Sequence, residues 1–207
     1  MNKSRAGGFL MACGLVLMAA ALCLAGWNQW EQYRAGETAR AALDALELPA
    51  AAPSGEKTPG QADDLPAYLL DPQRPMPEVT ADGRCYIGRL DIPALDRSLP
   101  VQSQWSDEDL KASPCRYGGS AYLDDLILAG HNYKSHFGGL GRLRPGDSVV
   151  FTDMDGTRFD YVVAGVEWLD GGDIEGMTAG DWDLTLFTCT ASRRERVTVR
   201  CVRCAPQ

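Results

Sequence analysis

Apolar positions are distributed in contrasting ways along this chain. From Ala6 to Trp30 the sequence carries no charge, and Gly8–Gly26 (GFLMACGLVLMAAALCLAG) is a nearly unbroken apolar run of about 19 residues. At a rise of about 1.5 Å per residue, that run as a helix nearly spans a hydrocarbon layer of about 30 Å. Lys3 and Arg5 precede it and hold that end in the cytoplasm, while Trp27 and Trp30 suit the opposite interface. The run exceeds the usual apolar region of a cleaved secretory signal, so it reads as a retained signal-anchor. Residues 1–6 are then cytoplasmic and 7–26 transmembrane, with everything after Trp30 extracytoplasmic.

Residues 27–81 have no pattern that would build a core. The stretch 31–48 is rich in helix formers with a weak Leu and Ala stripe, which predicts a short helical stalk. The following PAAAPSGEKTPGQADDLP is linker-like, and Asp71–Pro77 is held extended by its prolines. A folded domain is expected over residues 82–207.

There the period changes to two. Strands are predicted near Cys85–Ile92, Leu99–Ser103, Tyr117–Leu123, Leu126–Ala129, Ser148–Thr152, Thr157–Leu169, Leu184–Cys189 and Arg196–Arg203. Leu143-Arg-Pro-Gly-Asp147 and Asp153-Met-Asp-Gly156 supply turns, and short helices are expected at 106–111 and 173–179. The fold class is all-β, a barrel or sandwich.

Composition narrows the function. With 28 acidic against 20 basic residues the formal charge is −8, which argues against a nucleic-acid partner. Only two histidines are present, His131 and His136, so a histidine-rich metal site is excluded. Of seven cysteines, Cys13 and Cys23 fall in the apolar run, leaving Cys85, Cys115, Cys189, Cys201 and Cys204 outside. An odd number in an oxidising compartment leaves at least one thiol unbridged, either inert and packed or nucleophilic.

Alternation bears on that choice. If Leu184 and Leu186 face the core, then Thr185, Phe187 and Cys189 face outward. On the last strand, Val197, Val199 and Cys201 face inward, and Arg196, Thr198 and Arg200 face outward. Only 190–195 separate the two strands, so a hairpin would set Cys189 almost opposite Arg196. A cation beside a thiol favours the thiolate and can hydrogen-bond a developing oxyanion. His131 follows the short strand Leu126–Ala129 and Gly130, a position suited to a general acid. Arg193 and Arg194 compete with Arg196 but lie in the loop; His136 competes with His131 but precedes Phe-Gly-Gly in a turn.

The words Ala129-Gly-His-Asn132 and Thr185-Leu-Phe-Thr-Cys189, with Arg196 on the next strand, resemble the sortase family of Gram-positive cell surfaces. Tyr86-Ile-Gly-Arg-Leu-Asp-Ile-Pro93 and Leu143-Arg-Pro-Gly-Asp147 are also similar to family words, and the likeness runs from about Tyr86 to Arg203. The Gly-His-Asn word is similar to class B members. The resemblance implies an eight-stranded sortase-type β-barrel behind one transmembrane helix. It implies a membrane-tethered cysteine transpeptidase that cleaves an LPxTG-like C-terminal sorting signal of secreted proteins through a thioacyl intermediate. The acceptor would be an amine of a peptidoglycan precursor or a pilin. Cys189 would be the nucleophile, His131 the acid and base, and Arg196 the oxyanion and substrate binder, with Thr188 and Phe187 flanking the substrate groove. No cofactor is needed for that chemistry.

Some features depart from the pattern or compete with it. Pilus-building members carry a lid with Asp-Pro-aromatic, but here Asp71-Pro72 is followed by Gln73. Cys201-Val-Arg-Cys204 has redox or zinc spacing, yet on a strand the two thiols would point to opposite faces. Some relatives use Ca²⁺ near the loop before the cysteine strand, where Asp170, Asp173, Glu175, Asp181 and Asp183 lie; a solvated acidic loop is the simpler reading. The rival functions are an extracytoplasmic cysteine endopeptidase or wall hydrolase, and a non-catalytic surface assembly module.

Overall fold

The computed structural model describes the backbone of residues 3–46 and 66–204, and side chains from residue 11 onward within those ranges. The expected linker at 49–66 lies almost wholly outside the described residues. The chain divides into two units, residues 1–34 and 35–207. Helix α1 (Lys3–Ala45) is continuous through that division, uninterrupted by Gly26 or Gly36. In the first unit its apolar side chains, among them Leu17, Leu22 and Leu24, are exposed. A helix apolar on every side has no soluble face, and this one is long and apolar enough to cross a membrane.

In the second unit, a short helix α2 (Ala67–Leu70) leads into strands β1 (Val79–Ala81), β2 (Arg84–Ile92) and β3 (Arg97–Gln102). Helix α3 (Asp109–Ala112), β4 (Cys115–Gly118), β5 (Leu126–Ala129), β6 (Ser148–Asp153) and β7 (Arg158–Asp170) follow. Helix α4 (Ile174–Thr178), β8 (Leu184–Cys189) and β9 (Glu195–Arg203) complete the fold. The strands run in the order β1-β2-β3-β4-β5-β8-β9-β7-β6, and β6 pairs back onto β2. Eight strands therefore close into a barrel, with β1 as a flap on β2. Inside it lie Leu90, Leu99, Leu128, Phe151, Phe159 and Leu186, all at most 2% exposed.

Several sequence expectations need correction. The first hairpin is formed by Asp82-Gly83, with φ of 50° and 75° and Ala81 opposite Arg84. Both values suit the two-residue turn for which Asp-Gly is a strong signal, so the fold begins before residue 82. The strand expected over Tyr117–Leu123 is instead Cys115–Gly118. Gly119 takes φ +69°, a turn follows, and the Asp125 carboxylate accepts from the Ser120 amide. The expected stalk also differs. Ala35, Ala39, Ala42 and Leu46 are each at most 8% exposed, and Ala42 and Leu46 pack on Tyr86 of β2. Spacings of four, three and four residues place them on one helical stripe.

The segment from α2 to Met76 plugs the barrel. Tyr68 stacks on Tyr122 with ring centres 4.9 Å apart, lies 5.3 Å from Phe159, and accepts a hydrogen bond from Arg203 Nη2 at 2.8 Å. Met76 joins the same core. Arg203 lies two residues past Cys201, the partner of Leu184 at the start of β8. Tyr68 therefore closes the end of the barrel opposite Cys189. Tyr68→Ala should cost about 3 kcal/mol of stability by opening this end. Urea unfolding checks it against Leu70→Ala, which removes a 76% exposed side chain and should change stability by less than about 0.5 kcal/mol.

Candidate active site

Three neighbouring strands build the site, and register alone brings its residues to one end of the sheet. Strands β5 and β8 are parallel, with Ala129 opposite Phe187. Gly130 N donates to Phe187 O at 3.1 Å, continuing the ladder beyond the last pair. Two residues beyond that last pair are His131, past the end of β5, and Cys189, the last residue of β8. On the other side of β8, antiparallel β9 places Arg196 directly opposite Cys189. Cross-strand partners of this kind share a face, with Cβ atoms about 5 Å apart. Cys189 is exposed, whereas His131 and Arg196 are half-buried.

The loop that turns β8 into β9 explains why Arg196 holds this position. Thr190 N donates to Glu195 O at 2.8 Å, and Arg193 N donates to Thr190 O at 3.0 Å, with Arg193 itself at φ 57°. Arg193 and Arg194 are exposed in that turn, clear of the ladder. The Arg196 guanidinium carbon sits 6.0 Å from the Phe187 ring centre, and its Nη1 is buried with no hydrogen-bond partner among the described residues.

The outward face beside these residues is an apolar floor. Phe187, Ala129, Cys115, Leu110 and Met177 form a cluster separate from the barrel core, with Tyr117, Ile127 and Leu169 packed on it. An aromatic row crosses it: Trp105 to Tyr117 at 6.1 Å and Tyr117 to Phe187 at 5.3 Å, both edge-on. Thr188 behaves differently. It takes the inward side of the alternation with Leu184 and Leu186, opposite Val197 of the core, and is only 3% exposed. Its hydroxyl is therefore directed away from the outer face, contrary to the expectation that Thr188 flanks a substrate groove there, whereas Phe187 belongs to the outer cluster.

The thiols sort by environment. All seven are free. Burial pushes Cys115 and Cys201 up to about 12, which keeps both protonated at neutral pH. Cys201 packs in the core while Cys204 is exposed, so the Cys-x-x-Cys spacing does not converge on one point. In the acidic loop, Asp170 Oδ1 accepts from Gly172 N, Asp173 Oδ1 from Gly176 N, and Asp183 Oδ2 from Arg203 N. These carboxylates already hold backbone amides. Among the described residues, no three His, Cys, Asp or Glu side chains gather as a metal site.

One member of the site escaped sequence reasoning. Arg200 lies on the outward side of the β9 alternation, yet the residue is only 3% exposed. It donates Nη2 to Gly176 O at 2.6 Å, Nη1 to Met177 O at 2.7 Å, and Nε to Glu167 Oε2 at 3.1 Å. Arg200 thereby ties α4 to the sheet beside the outer apolar cluster. Alternation supplied its direction, but the α4 carbonyls that cover it are contributed by the tertiary fold.

A family model described as the sortase domain matches residues 90–205. The chain belongs to the sortase family. Sortases are generally cysteine transpeptidases, and the closed eight-stranded barrel is their fold. Among solved structures, the complex of Streptococcus agalactiae sortase C1 with MTSET is similar at a TM-score of 0.51 and 21% identity, covering 59% of this chain and 70% of that one. Clostridium perfringens sortase C with the C-terminal cell wall sorting motif matches at 0.51 and 22%, over 58% and 71%. The Clostridium perfringens sortase D5 transpeptidase matches at 0.51 and 18%, over 58% and 79%. No curated protein matches the chain.

The second histidine of this sortase is fully buried, and burial lowers its pKa from the ordinary 6.5 to about 4 despite help from the Ala35 and Ala112 carbonyls. The unfolded chain therefore takes up a proton at His136 between pH 6.5 and 4, and the folded chain does not. Stability should fall as pH drops through that window, by on the order of 3 kcal/mol from this group alone. Urea midpoints across pH 4–7 should fall less steeply in His136→Gln than in the parent, since the glutamine does not titrate.

Proposed function

We propose that this sortase cleaves an LPxTG-like C-terminal sorting signal of secreted proteins and joins the product to an amine on a peptidoglycan precursor or a pilin. Helix α1 anchors it in the cell membrane, with the N-terminus cytoplasmic and the barrel extracytoplasmic. The observation that carries the reading is the register: Cys189 stands between Arg196 on β9 and His131 just past β5. A further support is that the related Clostridium perfringens protein is described with a C-terminal cell wall sorting motif.

The chemistry runs in two balanced steps. The Cys189 thiolate attacks the scissile carbonyl carbon, and the carbonyl electrons move onto oxygen beside the Arg196 guanidinium. Collapse of that adduct breaks the C–N bond, and His131 gives its proton to the departing amine. The acyl group is now a thioester on Cys189. An incoming amine loses a proton to His131 and attacks the thioester carbonyl. The new amide leaves, and the Cys189 thiolate and protonated His131 are restored. The apolar floor around Phe187 would hold the residues before the scissile bond in extended form, and Arg196 Nη1 would find its missing acceptor in the substrate.

The test is incubation of the full-length chain in detergent micelles with a library of LPxTG-type peptides, with and without oligoglycine. A ligated product that depends on the added amine supports the reading. Hydrolysis indifferent to amine would make the protein a peptidase, and no turnover of any peptide would make it an assembly module. Cys189→Ala should abolish ligation while leaving the unfolding midpoint unchanged. Arg196→Lys should lose roughly a hundredfold in kcat/KM, because a point charge cannot reproduce the planar fork.

A further inference from the structure

The helical segment from Ala35 to Leu46 lies outside the residues matched by the family model, yet it is packed onto the loop that carries His131. That loop is tightly made. His136 N donates to Tyr133 O at 3.0 Å, Phe137 N to His131 O at 3.1 Å, and Gly138 N to Tyr133 O at 2.9 Å. Phe137 is fully buried in the barrel core, against Gly130, where any Cβ would come within 2.5 Å of its ring. From β3, Arg97 donates Nε and Nη2 to Lys134 O at 3.0 and 2.6 Å. The remaining side of the loop is closed by α1. A Cβ on Gly36 would stand 3.1 Å from Ser135 Cβ, and His136 Nε2 lies 3.4 Å from Ala35 O.

From this contact a line of rings leads to the catalytic position. The His136 ring is 5.4 Å from Tyr133, and Tyr133 is 4.9 Å from His131. Helix carbonyl, buried imidazole, tyrosine ring and His131 thus form one packed series. We infer that His136 is a positioning residue for His131, held in place by docking of the α1 segment 35–46, and that this segment is a working part of the catalytic unit. The inference rests on the transpeptidase reading for its kinetic consequences, but not for its geometry.

The residue types fit this role. An Ala-Gly-Ala seam lets the helix backbone approach the loop, where larger side chains would hold it off. An imidazole fills the space as an aromatic ring and also offers a donor to the Ala35 carbonyl, which fixes the ring by a hydrogen bond. The charged groups that act on His136 are His131 from its own loop and Arg97 from β3; α1 and α3 contribute only the Ala35 and Ala112 carbonyls. Interaction with both groups opposes a proton on His136, which is therefore a neutral ring at pH 7.

The chain has only two histidines, which makes the test direct. Full-length protein labelled with ¹⁵N-histidine in detergent micelles gives two imidazole spin systems, and His136→Phe assigns them. His136→Phe, and separately Gly36→Leu to wedge the helix off Ser135, should shift the His131 titration midpoint by about half a unit or more, as its surroundings loosen. His136→Gln, which keeps a donor for Ala35, should stay close to the parent. In peptide ligation, His136→Phe and Gly36→Leu should lower kcat about tenfold with KM unchanged, and His136→Gln should recover most of the loss. An unaltered His131 titration in both disrupting variants overturns the proposal, as does a kcat loss that His136→Gln fails to recover. If the parent chain ligates no peptide, the transpeptidase reading falls and the imidazole titrations still decide this one.

Discussion

Strand β8 is six residues long and carries opposite demands on its faces. Leu184 and Leu186 must enter the barrel, because leaving two leucines in water would forfeit about 2 kcal/mol each. Since successive side chains alternate, that burial obliges Phe187 and Cys189 to face outward. A slip of one residue would exchange the faces, burying the thiol and exposing the leucines. The site thus inherits its geometry from the core: the same register that packs Leu186 against Val199 sets Cys189 opposite Arg196. Parallel pairing with β5 extends the constraint to His131 through the Gly130–Phe187 hydrogen bond.

Around this frame, the outer face combines an apolar floor with a buried cation. Taking the Arg200 guanidinium out of water is costly unless its donors are satisfied. Here they bond to two carbonyls of α4 and to Glu167, which remains half exposed. The arrangement converts a desolvation penalty into a fixed position for α4, whose Met177 completes the floor. Asp173 caps the same short helix by accepting from Gly176 N, Asp170 accepts from Gly172 N, and Asp183 accepts from Arg203 N of β9, so three of the carboxylates hold backbone amides. The acidic loop therefore has a structural account in its own hydrogen bonds.

Two segments outside the family-matched residues pack on the barrel. The Tyr68–Met76 plug fills the end away from Cys189, and Arg203 holds it by a hydrogen bond and by stacking its guanidinium over Tyr68 and Phe159 at 5.6 and 4.8 Å. The end of α1 covers the outer face of β2, where Tyr86 would otherwise be exposed, and reaches the loop that follows β5. Neither segment forms a core by itself, so both gain their order from the barrel.

Sequence alone was enough for the features that depend on period and local chemistry. Alternation located β5 and β8 at their observed limits, assigned the faces of β8 and β9, and paired Cys189 with Arg196, because a two-residue period and a short loop leave few alternatives. The apolar run was legible because a membrane requires length and composition and little else. Tertiary structure decided what depends on partners distant in the chain. It buried Arg200 beneath α4 carbonyls and seated Tyr68 in the barrel end. It also made residues 35–46 a docked helix instead of a stalk. Those outcomes rest on surfaces that exist only after strands far apart in sequence have closed, and an alanine stripe or a lone arginine carries no local sign of the surface it will meet.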